Sequence, residues 1–201
     1  MSVLVSKNWT AGSGALPASM PAAPGNFSGD VVSGEFRGPD DPVLNYRNDV
    51  TPPNDQWGQV TIGSVLVSAA DNGIGPAIRQ STSADTGYRV LANTSDDLRV
   101  YSVVGGAYSL IIGPINIGTL AAGDVIYLEA QGTSIVLKRN GSTVASTTNS
   151  AVTAGRIGIF AANDAVNPTA SDFSGGDFVT AGGTIKRRIM RQLGEDCLAT
   201  W

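Results

Sequence analysis

No histidine occurs anywhere in the chain. Its absence removes the imidazole base of Ser-His-Asp triads and Cys-His pairs, and every histidine-ligated zinc or iron site. Breaking a glycosidic bond takes two carboxyl groups facing each other across it. The only glutamates, Glu35, Glu129 and Glu195, lie too far apart to share one strand. Cys197 is the single cysteine, which excludes an internal disulfide and any multi-cysteine metal centre. The expectation is a chain that is not an enzyme and has no catalytic residue.

Two kinds of binding chemistry remain. Asp40, Asp41, Asn45 and Asp49 fall in one loop, with Asp71-Asn72 and Asp96-Asp97 in others. Hard oxygen ligands of this kind hold Ca²⁺ if their loops converge. Asp and Asn are also ordinary turn residues that bond their own backbone, and that is the commoner use, so no cofactor is expected. The second chemistry is sugar recognition, which needs an aromatic ring for the apolar face of the sugar and polar groups for its hydroxyls. Trp9, Trp57, Tyr46, Tyr88, Tyr101 and Tyr108 are the aromatics available, with Trp57, Tyr88 and Tyr101 singled out as a carbohydrate site. Aromatics make up only 6% of the chain, so several of them belong in the core. The triplet Asn140-Gly141-Ser142 matches an N-glycosylation pattern, which carries no weight without a secretory leader.

Short strands must position these groups. Trp57-Gly58-Gln59-Val60-Thr61-Ile62 alternates polar and apolar residues, as a half-buried strand does. Further strands are expected over 74–80, 86–92, 98–104, 108–112, 125–130, 134–139, 142–145, 155–160 and 170–178. Asn140-Gly141 between two such runs suits a type I′ hairpin turn, in which both central residues have positive φ. Gly105-Gly106 marks another tight reversal. The 25 glycines fit a chain that turns about every ten residues.

With 42% hydrophobic and 15% charged residues the chain has ample apolar material for one folded unit. Three regions are expected within that unit: an irregular 1–55 contributing edge strands and an arm, a sandwich core over 56–180, and a C-terminal arm over 181–201. Residues 1–185 hold nine Lys and Arg against fifteen Asp and Glu, and residues 186–201 hold four against two. An acidic body disfavours a phosphate backbone, so no nucleic acid is expected as partner. No apolar run approaches 18 residues and Met1–Lys7 lack a basic leader, so neither a membrane nor a signal-peptide route is expected.

The succession Leu120–Glu129, Ile135–Gly141, Ala154–Phe160 and Asp172-Phe173 resembles the concanavalin-A-like lectin and laminin-G-like jelly-roll sandwich. It is similar to the small modules of this kind in phage virion proteins, and the likeness spans 56–178. The resemblance implies an all-β antiparallel sandwich. It says little of function, because that superfamily holds lectins, glycanases, lyases and inert structural modules. Its glycanases carry two glutamates close together on one strand, and its lyases a histidine; this chain has neither.

At the C-terminus Ile185, Ile189, Met190 and Leu193 fall on one face of a short helix expected over 185–193, with Lys186, Arg187, Arg188 and Arg191 on the other. With Leu198 and Trp201 these residues form a candidate assembly surface. The first reading is therefore a virion structural protein assembled in the host cytoplasm, a capsid decoration or cement protein. Its expected partners are major capsid or tail subunits and further copies of itself. The alternative is a tail or fibre adhesin that binds host-surface glycan, and the third is a polysaccharide-active enzyme.

Overall fold

A computed structural model describes residues 2–8, 14–16, 19–26, 28–33, 35–38, 43–64, 73–93, 97–162 and 169–178. Fifteen strands run in order: β1 (Ser2–Asn8), β2 (Gly14–Ala15), β3 (Asp30–Val32), β4 (Glu35–Arg37), β5 (Val43–Tyr46), β6 (Gln56–Ile62), β7 (Gly73–Gln80), β8 (Gly87–Asn93), β9 (Asp97–Val104), β10 (Ala107–Asn116), β11 (Val125–Gln131), β12 (Ser134–Arg139), β13 (Ser142–Thr148), β14 (Arg156–Ala162) and β15 (Ala170–Asp177). No helix occurs among the described residues. The helix expected over 185–193 lies outside them.

All strand pairings are antiparallel and make two sheets. The nine-stranded sheet runs β13-β12-β11-β6-β15-β4-β3-β2, with β1 also pairing with β15. The six-stranded sheet runs β10-β9-β8-β7-β14-β5. Local chemistry sets the reversals. Asn140 at φ 51° and Gly141 at φ 81° join β12 to β13 with Arg139 opposite Ser142, the expected two-residue turn. Gly105 and Gly106, also at positive φ, do the same between Val104 and Ala107.

Among the described residues, the core between the sheets is built from inward-facing side chains of strands in both. Val60, Ile126, Leu128 and Phe173 from the nine-stranded sheet meet Ile78, Val90, Val100 and Ile157 from the six-stranded one. Each such side chain contributes roughly 1.5–3 kcal/mol by leaving water.

The stretch read as irregular supplies β1 to β5. Strand β5 is buried along its whole length, because residues 19–26 extend the sheet past it. Ala23 N–H donates to Leu44 O at 2.8 Å, Tyr46 N–H to Pro21 O at 3.2 Å and Asn48 N–H to Ser19 O at 2.9 Å. Asn45 is buried there, its Nδ2 donating to Met20 O at 2.9 Å and its Oδ1 accepting from Gly29 N–H at 2.8 Å. Ala23 then covers a second apolar cluster on the outer face of the six-stranded sheet, with Leu44, Tyr46, Ala77, Leu91 and Phe160.

Candidate functional site

Strand β9 reads Asp97-Leu98-Arg99-Val100-Tyr101. Leu98 and Val100 are fully buried in the core, so strand alternation carries Asp97, Arg99 and Tyr101 to the outer face of the six-stranded sheet. Asp97 and Tyr101, four residues apart at about 3.3 Å each, stand roughly 13 Å apart along that face. The Arg99 guanidinium pairs with Asp97 Oδ2 at 2.9 Å. Its proton affinity is raised, first by the hydrogen bond with Tyr101 and then, against burial, by Asp97. Asp97 N–H donates to Asn93 Oδ1 at 3.2 Å. The other carboxylate oxygen, Asp97 Oδ1, is buried and accepts no hydrogen bond.

Beside this polar row stand two exposed apolar residues, Tyr108 and Leu110, whose cross-strand partners Val103 and Tyr101 share the outward phase of β9; Val104 has the opposite phase, at the hairpin end. Val104, Tyr108 and Leu110, at 50%, 43% and 46%, are the exposed large hydrophobic residues among those described. Leu110 lies opposite Tyr101 across the β9–β10 ladder. The Tyr101 and Tyr108 rings meet edge to face, their centroids 5.8 Å apart.

A buried cation underpins Tyr108. Arg89 projects from β8, next to Tyr101 in register, with no exposed surface. Its guanidinium lies 5.3 Å from the Tyr108 ring centroid and 5.2 Å from that of Phe160. It donates to the Tyr108 hydroxyl and to Asp85, the latter an ion pair. Asp85 in turn accepts from Asn26 Nδ2 at 2.9 Å, and its carbonyl accepts from Gly106 N–H at 2.8 Å. A buried Arg without its carboxylate would be strongly destabilising, so this chain of bonds fixes where the Tyr108 ring stands.

The outer face of the nine-stranded sheet also carries aromatics. Trp57 stacks on Tyr127 at 5.6 Å, Lys138 Nζ lies 4.8 Å from the Tyr127 centroid, and Lys138 pairs with Glu129 at 2.9 Å. Trp57 and Tyr127 keep only 5% and 8% of their surface in water. Burial, and then Glu129, hold the Tyr127 hydroxyl protonated well above the usual tyrosine range.

The three aromatics singled out in the sequence therefore do not meet. Tyr88 is a core residue: its hydroxyl donates to Asn149 Oδ1 at 2.9 Å and accepts from Val152 N–H at 3.1 Å. It has no face to offer a sugar. Trp57 and Tyr101 stand on opposite sides of the sandwich. Tyr46 is buried beneath the 19–26 segment. Trp9 lies outside the described residues, as do the assembly candidates Lys186, Arg187, Arg188, Ile189, Met190, Arg191, Leu193, Leu198 and Trp201.

The acidic residues sit apart as well. Glu35 on β4 accepts from the hydroxyls of Ser64, at 2.6 Å, and Thr169, whereas Glu129 on β11 is committed to Lys138. Glu195 lies outside the described residues, as do Asp40, Asp41, Asp71, Asn72 and Asp96. Asp49 accepts from Arg47 Nε at 2.7 Å, and that guanidinium holds its carboxyl below the usual carboxylate range. No group of three or more acidic, Cys or His side chains that could hold a metal occurs among the described residues.

No family model matches the chain, and no curated protein matches it by sequence. Solved structures do match its fold. The carbohydrate binding module CBM66 from Bacillus subtilis aligns with a TM-score of 0.57 at 16% identity, over 77% of this chain and 91% of that one. The Emp47p carbohydrate recognition domain aligns with a TM-score of 0.58 at 11% identity, over 87% and 95%. The VIP36 exoplasmic/lumenal domain, in its Ca²⁺/Man-bound form, aligns at 0.55 and 9% identity, over 77% and 82%. The chain has the lectin jelly-roll fold. Within this jelly roll, Asp97, Arg99, Arg89 and Asp85 stand on or beneath the face that carries Tyr101 and Tyr108, and none of the four was singled out for it in the sequence. The alternation of Asp97, Arg99 and Tyr101 against apolar Leu98 and Val100 was the signal available for the first two.

Proposed function

We propose that the protein is a non-catalytic glycan-binding module whose site is the outer face of the six-stranded sheet around Tyr108. The observation that carries this reading is Tyr108 itself: the residue is 43% exposed, although Arg89, held by Asp85, fixes its ring from beneath. An anchored, exposed ring offers a stacking surface whose ordering entropy is already spent before a ligand arrives. The Asp97–Arg99 pair beside Tyr101 adds an acceptor and donors for hydroxyls. Structural neighbours named as carbohydrate-binding domains support the same reading. Attachment of a virion to host-surface carbohydrate is the setting that best joins it to the phage resemblance. The competing reading, capsid decoration, draws on residues 184–201, outside the described region.

A glycan array probed with the full chain tests the proposal. Binding is expected to fall about tenfold or more in Tyr108→Ala, a truncation of the kind that removes an interface anchor. Leu110→Ala, on the exposed surface, should weaken binding while leaving the melting temperature in place. No glycan retained by the folded wild type, or both variants binding as wild type does, would overturn it.

A further inference from the structure

Resting on the glycan-binding reading, we infer that this face takes neutral polyhydroxyl glycans and rejects sulfated or carboxylated ones, with Asp97 as the residue that enforces the choice. Both guanidinium groups on the face already hold a carboxylate of their own, Arg99 with Asp97 and Arg89 with Asp85. Neither pair leaves a surplus positive charge for an anion. Asp97 is the group that compensates Arg99: with this carboxylate on the guanidinium at 2.9 Å, an incoming sulfate or carboxylate meets no free cation, whereas a sugar hydroxyl needs none.

The rest of the platform agrees in charge. From Val100 through Gly123, a stretch that includes Tyr101, Tyr108 and Leu110, there is no Asp, Glu, Lys or Arg. Residues 1–185 as a whole carry fifteen acidic against nine basic side chains, a field that turns anionic polymers away. Discrimination here comes from the repulsive element as much as from the attractive one. The platform supplies a ring for the apolar sugar face; Asp97 supplies the exclusion.

The test pairs matched probes: dextran against dextran sulfate, agarose against carrageenan, and mannan against alginate, each titrated into the full chain. Wild type is expected to bind a neutral member at least tenfold more tightly than its charged counterpart. That binding should change less than about twofold between 50 mM and 500 mM salt, since no ion pair with the ligand forms. Asp97→Asn keeps the shape, leaves the Arg99 charge uncompensated and should shift the neutral-to-charged ratio at least tenfold toward the charged probe. If that variant does not fold, the wild-type ratio and salt response decide alone. Tighter binding of the charged members by wild type overturns the neutral-ligand assignment and leaves glycan binding standing. Retention of none of the six probes, together with an empty glycan array, overturns both.

Discussion

The two outer faces of the sandwich use the same residue types to opposite ends. On the six-stranded sheet a buried Arg89 sits beneath Tyr108 and leaves that ring open to water; on the nine-stranded sheet Lys138 lies against the Tyr127 ring, and Trp57 and Tyr127 are almost fully enclosed. Cation–π contacts stabilise both arrangements by about 0.5–2 kcal/mol. What differs is what else covers the ring: Trp57 stacks on Tyr127, which keeps 8% of its surface in water, whereas Tyr108 keeps 43%. An aromatic residue near a cation is therefore no site until its free face is located.

The sharpest way to break this contrast is to truncate one ring on each face. Trp57→Ala should lower stability by about 3–5 kcal/mol, the usual range for a buried aromatic, and leave the glycan affinity of the folded fraction unchanged. Leu110→Ala should do the reverse, changing stability by less than about 0.5 kcal/mol while weakening glycan binding. Urea denaturation and titration of the same samples check both. Equal stability losses, or a loss of binding in Trp57→Ala, would erase the distinction between the faces.

A smaller effect belongs to a hairpin end that serves neither face. Asp124 caps the turn before β11: its Oδ2 accepts from Ala121 N–H at 2.8 Å and Arg139 Nη2 at 2.6 Å, and its Oδ1 accepts from Asn140 Nδ2 at 2.7 Å. Burial raises its pKa, but Arg139, Asn140 and the Ala121 amide outweigh that and hold it below its ordinary 3.8. A carboxylate depressed in the folded state gives stability that is present above the unfolded value and lost as pH falls through the folded one. Thermal unfolding should thus shift downward below about pH 4, and Asp124→Asn should flatten part of that slope without altering glycan affinity.

Much of the sandwich was readable from pattern. Strands β6, β9 and β12 follow period-two alternation, and glycine turns mark the reversals after β9 and β12, because those signals depend on neighbours in sequence. Strand β5 was not readable in the same way: its burial comes from residues 19–26 pairing along its edge, a contact made across the fold. The site was harder still. In Gly87-Tyr88-Arg89-Val90 both sides of the strand are buried, so alternation cannot say whether Tyr88 or Arg89 faces the core. Register against β9 decides it, placing Arg89 beside Tyr101 on the outer face and Tyr88 beside Ser102. Tyr101 and Tyr108 were both among the aromatics named at the outset. Their approach to 5.8 Å follows from the Gly105-Gly106 hairpin, whereas the Arg89 support depends on a neighbouring strand.

The central assignment is most directly tested by mapping a retained neutral glycan onto the isotope-labelled full chain with amide chemical shifts. The account predicts that shifts concentrate at 97–101 and 108–110, with Trp57, Tyr127 and Lys138 unmoved. Shifts centred on the Trp57–Tyr127 face, or spread with no focus on β9 and β10, would contradict it.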